Sequence, residues 1–246
     1  MPLMRAAFVA VLPALLVSTA GAQSSFDLGD RRHEVIDDPV RIEFAIGGAA
    51  ETMQRITDAV DFVARQKDWE VQPKGAGRWQ LTHEARGRHM AKVDLLCDTA
   101  SCTFHYVDSR HLNYGERAQS GSPLRAIHKT YNAWLRELAS ALGSALGGKS
   151  ARIIVGFAPL GDAEALPHVN TRARQAYREW LKRPKPRAFA IALNGAWGWS
   201  APIEGTYLAT RYLDSIGNAM KRCNQSGGDI CKLYAVDDRV VWDPAR

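Results

Sequence analysis

Residues 69–109 read WEVQPKGAGRWQLTHEARGRHMAKVDLLCDTASCTFHYVDS, and they contain a series of runs typical of β-strands. Short turns separate these runs, at Gly75-Ala76-Gly77, at Arg86-Gly87 and in the loop between Cys97 and Cys102. Strand-length runs joined by such short turns usually pair with their neighbours in the chain. The stretch therefore predicts an antiparallel meander of three or four strands.

Helical patterns flank this meander on both sides. Residues 41–46, RIEFAI, alternate like a strand, and apolar residues then recur at helical spacing through residues 49–67. After the meander, a second helical stripe contains Ile127, Tyr131, Trp134, Leu138 and Leu142. We expect residues 41–146 to form an α+β domain in which two helices cover one face of an antiparallel sheet.

A second small α+β unit is predicted for residues 152–246, after a linker at residues 147–151. Its strand-like run, helices and hairpins are expected at 152–157, 171–183, 188–200, 208–223 and 232–242. Asn194-Gly195 is a strong two-residue turn signal in the first of these hairpins. The predicted fold class is therefore α+β, with two small domains, each an antiparallel sheet or hairpins packed against one or two helices.

The first residues have the layout of a secretory signal peptide. Arg5 is followed by the apolar stretch Ala6–Ala20, and Ala20-Gly21-Ala22 is a small-residue cleavage site. We expect cleavage after Ala22, and we read residues 23–40 as a polar lead-in. Because no cysteine follows the cleavage site before Cys97, a lipid anchor is not expected. The sequence predicts a periplasmic or secreted protein whose mature chain has no transmembrane segment.

The four cysteines form two local pairs, Cys97 with Cys102 and Cys223 with Cys231. In an exported protein such pairs favour two short disulfide loops. The alternative is a zinc site, but it would need all four thiolates to converge, and their spacing is poor for zinc. We therefore expect two disulfides, no metal site and no cofactor.

Basic residues are concentrated in the second half of the chain. Residues 23–150 contain 17 Lys+Arg and 17 Asp+Glu, whereas residues 151–246 contain 14 against 9, a net charge of +5. Arg174, Arg178 and Lys182 follow one another at i, i+4 in a basic stretch that spans residues 172–187. Such a ridge is typical of sites for phosphates or anionic head groups, although a solvated helix face has the same pattern.

Two tryptophans lie close to this basic stretch in sequence. Trp197 and Trp199 occupy alternate positions of a predicted strand, so their rings should point to the same side of the sheet. They could present an aromatic surface to a sugar or peptide, or they could fill the core of a small domain. Together with Arg174, Arg178 and Lys182, they are the ligand-binding residues that the sequence suggests.

Asp108, Ser109 and His128 supply the residue types of a nucleophilic triad, and Tyr114 lies near them in the sequence. Neighbouring residues of one strand point to opposite faces, which makes a site from Asp108 and Ser109 awkward. The sequence also lacks the Gly-x-Ser-x-Gly turn that exposes a nucleophilic serine. Our preferred interpretation is that these residues close the strand and hold the following loop.

Simple hairpins in the meander would place Glu84 opposite His89 and Cys97 opposite Cys102. This register puts His83, His105 and His111 on one face of the sheet and His89 on the other. The strand with His83 is separated from the strand with His105 by a whole strand, so the rings start too far apart for a shared metal.

Residues 69–138 resemble a domain of small bacterial envelope proteins, which are often lipoproteins. The resemblance rests on YVDS at 106–109, LNY at 112–114 and IHKTYNAW at 127–134, beside the helix and the meander. The last sixty residues resemble a separate secreted segment with paired cysteines, through an AFAI strand, a Gly-Trp turn and CKLYAV at 231–236. Proteins with that segment sometimes carry an aminolevulinate-synthase-like name. Neither resemblance assigns a catalytic residue.

The sequence as a whole favours a non-enzymatic binding or accessory protein of the envelope. Its partner would be an envelope protein or an anionic envelope polymer, and nucleic acid is not expected after export. One alternative is a periplasmic hydrolase with its site near Asp108, Ser109 and His128. Another is binding of anionic lipid or cell-wall polymer through the basic stretch at residues 172–187.

Overall fold

The computed structural model describes residues 32–45, 51–119, 122–202 and 212–244, so the predicted signal peptide at residues 1–22 lies outside the described residues. Helices α1 to α4 are Met53–Gln66, Lys129–Gly147, Thr171–Trp180 and Tyr212–Gln225. Strands β1 to β13 are His33–Val35, Val40–Glu43, Trp69–Gly75, Arg78–Ala85, His89–Cys97, Ser101–Arg110, Gly115–Gln119, Ser122–His128, Arg152–Val155, Ala188–Ala192, Trp197–Ser200, Cys231–Val236 and Arg239–Val240. The strands form three antiparallel sheets that pack against helices, which confirms the predicted α+β class.

The largest sheet has the strand order β3-β4-β5-β6-β2-β9, and the predicted meander supplies β3 to β6. Helices α1 and α2 cover one face of this sheet. They bury Ile56, Val60 and Leu138 against strand residues such as Leu81 and Val93. The apolar residues that recur about every 3.6 positions in the two helices and at every second position in the strands thus form one core, as the sequence pattern predicted.

The register of the meander differs from the simple hairpins assumed above. His89 pairs with Ala85 instead of Glu84, and an extra residue in β6 shifts the pairing near Lys92. As a result His83 lies on the face that α2 covers, while His105 lies on the opposite, exposed face. The prediction that these two histidines share a face was wrong, because a one-residue slip turns every side chain over.

A second sheet, with the order β11-β10-β12-β13, is built from the last part of the chain. Helix α4 lies close to one face because the strand residues there are small: Ala188, Ala190, Ala192 and Gly198. A Cβ atom at Gly198 would come within 2.6 Å of the Ala219 carbonyl oxygen. The other face carries Phe189, which packs against Tyr177 and Trp180 of α3.

The third sheet, β1-β8-β7, lies between the two larger ones. Ile36 and Ile127 are part of the core beneath the large sheet, whereas Val35, Leu124 and Ala126 belong to the core beneath α4. Strand β1 therefore lies within the segment read as a polar lead-in, and Ile127, expected in a helix, lies in β8 just before α2.

Strand β9 pairs with β2 in the large sheet, although the sequence pattern placed this run at the start of the second unit. The chain then continues past Gly156, whose N–H donates to the Pro39 carbonyl. Because β9 belongs to the large sheet, and Val35 and Ile36 at the end of β1 and just after it contact different cores, the division into domains at residues 147–151 stays a prediction.

Both predicted disulfides are confirmed. Cys97–Cys102 joins the facing ends of β5 and β6, and Cys223–Cys231 joins the last turn of α4 to the start of β12. Disulfides of this kind fit a protein that is located outside the cytoplasm. Within the described ranges, none of the helices combines the length and the apolar character needed to cross a membrane.

A completely buried carboxylate, Asp37, connects three distant parts of the chain. Its Oδ1 lies 2.6 Å from Nε of Arg239, and its Oδ2 lies 2.6 Å from Nε of Arg136 in α2. Its backbone N–H donates to the side-chain oxygen of Asn132, 2.9 Å away. Arg239 also pairs with Glu34 at 2.6 Å, so the segment before β2 is held to both α2 and β13.

Replacing this carboxylate by an amide should destabilise the protein. Asp37→Asn keeps the shape but removes the buried charge that pairs with both Arg239 and Arg136, and it leaves Glu34 as the carboxylate beside Arg239. Breaking a buried ion pair in this way costs about 3 kcal/mol in comparable cases. Urea unfolding should show this loss. As a control, Glu84→Gln breaks a half-exposed pair with Arg110 and should cost less than about 1 kcal/mol. Equal midpoints for the two variants would contradict the role given to Asp37.

Gly156→Ala should also destabilise the protein. Gly156 has a φ of +81°, and an added Cβ would collide with the carbonyl oxygen of Val240 in β13. The backbone strain alone costs on the order of 1–3 kcal/mol. The matched control is Gly161→Ala, where an added Cβ has no atom within 4 Å and stability should be unchanged or slightly raised. Thermal or urea midpoints that do not differ between the two variants would refute this close approach.

Candidate functional site

The basic ridge predicted on α3 is present, but its cations are engaged with neighbouring carboxylates. Arg174 and Arg178 both pair with Glu164, at 3.3 and 2.5 Å, and Lys182 pairs with Glu179 at 3.0 Å. Two guanidinium groups thus share one exposed carboxylate, and the ridge keeps an excess of positive charge. Exposed pairs of this kind are weak, so they can exchange for another anion.

Arg187, at the end of the basic stretch, is a structural residue. Its side chain is buried, its guanidinium donates to the carbonyls of Trp180, Leu181 and Arg183, and it lies 4.7 Å from the centre of the Trp180 ring. A cation at this point satisfies the carbonyls at the C-terminal end of α3. Arg187 therefore does not belong to the basic residues of 172–187 whose charge a ligand can reach.

Trp197 and Trp199 lie on the same face of β11, as predicted, and both are half-buried. Trp197 stacks on Phe189, with parallel rings whose centres are 6.0 Å apart. The ring of Trp199 has two guanidinium groups near it, Arg183 at 5.7 Å and Arg222 at 5.9 Å from its centre. Each indole thus contributes to the core on one side and keeps part of its surface towards solvent.

A cavity of about 480 Å³ brings one of these indoles together with an arginine. Its lining includes Trp197, the exposed Arg172 at the start of α3, Asn170, and Asn194 in the β10–β11 turn. The cavity can accommodate an anionic group beside a flat or apolar surface. Sequence reasoning included Arg172 and Arg183 only as members of the basic stretch at residues 172–187. It missed Arg222 and the contacts of Arg183 and Arg222 with the Trp199 ring, since these depend on how α3 and α4 flank β11.

Asp108, Ser109 and His128 make hydrogen bonds with other partners in the described part of the chain. The Ser109 hydroxyl bonds to the Tyr106 hydroxyl at 3.0 Å, and the Asp108 carboxylate accepts the backbone N–H of Ser109 at 2.8 Å. His128 Nδ1 accepts the N–H of Thr130 at 3.3 Å and so caps α2. The remaining member of the suggested group, Tyr114, stacks on Tyr106 and donates to Glu116 at 2.7 Å.

Histidines gather near the start of α2. The ring centres of His33 and His128 are 6.3 Å apart, and those of His89 and His111 are 6.5 Å apart. Burial lowers the pKa of His128, and the nearby His33, His89, Lys129 and Arg32 lower it further. Among residues 32–45, 51–119, 122–202 and 212–244, no three His, Cys, Asp or Glu side chains are arranged to hold a metal ion.

Comparisons with protein-family models, with curated proteins and with solved structures found no match. The resemblances described from the sequence therefore stay predictions.

The lowered pKa of His128 predicts a pH-dependent stability. Because the unfolded chain takes up a proton at this residue more readily than the folded protein, stability should fall as the pH drops through about 6.5. His128→Asn keeps a side chain that can cap α2 and should lose less stability between pH 7.5 and 5.5. Urea midpoints of both proteins measured across this range would test the prediction. The difference between their midpoints at pH 8 gives the effect of the changed cap alone, and the pH effect is measured relative to it. Parallel curves for the two proteins would be the contrary result.

Proposed function

We propose that this protein is a non-enzymatic binding protein of the bacterial envelope that holds an anionic ligand on the Trp–Arg face. This face consists of Trp197, Trp199, Arg172, Arg183 and Arg222. The observation that carries the proposal is the pairing of aromatic and guanidinium groups there, with Arg172 and Trp197 lining one cavity of about 480 Å³. Ligand recognition by such a face needs no reacting group, only a complementary charge and surface.

The chemistry of arginine supports an anionic ligand. A guanidinium group offers several N–H donors in a plane, which suits phosphate and carboxylate oxygens. Arg222 already uses one N–H to donate to the Trp199 carbonyl at 2.8 Å, and this bond holds it beside the ring. Arginines that are held in place by aromatic rings lose less side-chain freedom when a ligand binds.

The charge distribution and the predicted location agree with this role. The net charge of +5 in residues 151–246 attracts anions to this half of the molecule. The signal-like residues 1–22 and the two disulfides favour the periplasm or a secreted protein, where nucleic acid is absent. An envelope polymer, lipid surface or acidic protein is then the available kind of anionic partner, and no cofactor is required.

The hydrogen bonds of the suggested triad support binding over hydrolysis. Within the part of the chain that the structure describes, Ser109 is bonded to Tyr106 and His128 caps α2, and the two do not form the serine–histidine hydrogen bond that would activate the hydroxyl. Asp108 accepts a bond from the Ser109 backbone there. These hydrogen bonds lie at the end of β6 and the start of α2, whereas the sequence interpretation expected these residues to hold the loop after β6.

Charge reversal on the Trp–Arg face should abolish binding. The immobilised mature protein is exposed to envelope extract at low and high salt, beside the double variant Arg172→Glu/Arg183→Glu. Retained material is divided by protease digestion and solvent extraction into protein, polymer and lipid. We expect retention by the wild type at low salt, loss of retention at high salt because exposed charges are screened, and loss in the variant.

The matched control is Arg78→Glu/Arg88→Glu. It makes the same change of charge at two exposed positions of the large sheet, one in β4 and one in the turn between β4 and β5. It should retain what the wild type retains. If both double variants behave alike, the net charge and not the Trp–Arg face is responsible, and the proposal fails.

A further inference from the structure

Two exposed aliphatic residues adjoin the same end of the second sheet. Leu193 is 49% exposed and Ile230 is 58% exposed. The ladder between β10 and β12 ends at the pair Ala192 and Cys231, so Leu193 and Ile230 are the residues directly beyond this last pair. We call these two residues the apolar tip.

The apolar tip lies next to the turn that leads to the tryptophans. Leu193 directly follows β10 and precedes Asn194 and Gly195, which line the same cavity as Trp197 and Arg172. Ile230 directly precedes Cys231, the first residue of β12. Trp197 and Arg172 of the Trp–Arg face therefore lie at the same end of the second sheet as the apolar tip.

The two loops that carry the apolar tip are fastened to each other. The Asn194 side chain donates to the Gly227 carbonyl at 2.8 Å, and the disulfide Cys223–Cys231 closes the second loop. Asn194 and Gly227 also line the cavity that contains Arg172 and Trp197. The aliphatic pair is thus held beside an exposed arginine and a half-buried indole.

We infer that the apolar tip inserts into the surface of an anionic lipid bilayer while the neighbouring arginines contact the head groups. This inference rests on the proposed function, since it names the anionic partner of the Trp–Arg face. Exposed aliphatic side chains beside tryptophan and arginine match the composition of a site that binds a membrane surface. The charge of residues 151–246 is complementary to anionic lipid.

A protein partner fits this place less well. The residues around the apolar tip are small or polar, as in Gly195, Ser226, Gly227 and Asp229, and they offer no broad apolar patch. A stable protein interface buries about 800 Å² on each partner around an apolar centre. Two aliphatic side chains on neighbouring loops can enter a bilayer without such an area. The negative charge of Asp229 opposes binding, but it is already counted in the net charge of +5 of residues 151–246.

The test is flotation of the mature protein with vesicles of phosphatidylcholine alone or with phosphatidylglycerol added to about a third of the lipid. We compare the wild type with Leu193→Ser/Ile230→Ser and with Arg172→Glu/Arg183→Glu. The control is Phe62→Ser, which removes an equally exposed apolar residue (60%) from α1. All variants change exposed residues, and their urea midpoints verify that they are folded.

We expect the wild type and the Phe62 variant to bind the anionic vesicles. Their binding to neutral vesicles should be at least about tenfold weaker, and so should the binding of the Leu193/Ile230 variant to anionic vesicles. The inference is overturned if the Leu193/Ile230 variant binds as the wild type does. It is also overturned if no vesicle is bound while the wild type still captures polymer or protein from envelope extract, an outcome that leaves the proposed function standing. If Arg172→Glu/Arg183→Glu changes neither vesicle binding nor capture, the proposed function itself fails.

Discussion

The buried carboxylate of Asp37 is the interaction on which the architecture depends. A charge with no access to solvent is tolerated only when opposite charges and hydrogen bonds surround it. Here those partners come from α2 and from β13, on either side of the segment that contains Asp37. The segment before β2 therefore connects the large sheet and its two helices to the sheet that carries the tryptophans.

The neighbouring strand β1 acts in the same place through apolar contacts. Val35 belongs to the core beneath α4, while Ile36, the next residue, belongs to the core beneath α1 and α2. Successive residues of an extended chain point to opposite sides, so a short strand can serve two cores at once. Polar and apolar contacts together fix how the two larger sheets are placed.

The small residues of the second sheet explain why its tryptophans remain accessible. Alanines in β10 and Gly198 in β11 allow α4 to lie directly on one face. All the large aromatic residues of these strands then lie on the other face, which the ten-residue helix α3 covers only in part. Trp197 and Trp199 are left with one side in the core and one side towards solvent.

Local patterns predicted much of the fold, and distant pairings explain what they missed. The meander, the two disulfides and the shared side of Trp197 and Trp199 depend on residues close in sequence, and all of them are present. The pairing of β1 with β8 joins residues about 95 apart, as from His33 to His128, and leaves no local signal. The ion pairs of Arg174 and Arg178 with Glu164 could not be predicted from the helical pattern, because Glu164 lies in a separate turn before α3.

Strand β1 also has a consequence for the order in which the chain folds. Strand β1 is synthesised early. Its neighbour β8 lies roughly 90 positions later in the chain, and the residues that it contacts beneath α4 extend to about 200 positions later. This extended segment must therefore wait for its strand partner until about half of the chain is made, and for its core contacts beneath α4 until nearly the whole polypeptide is present. A chain that crosses a membrane before it folds meets this condition naturally, because all of its strands reach the far side before the first of them has to pair.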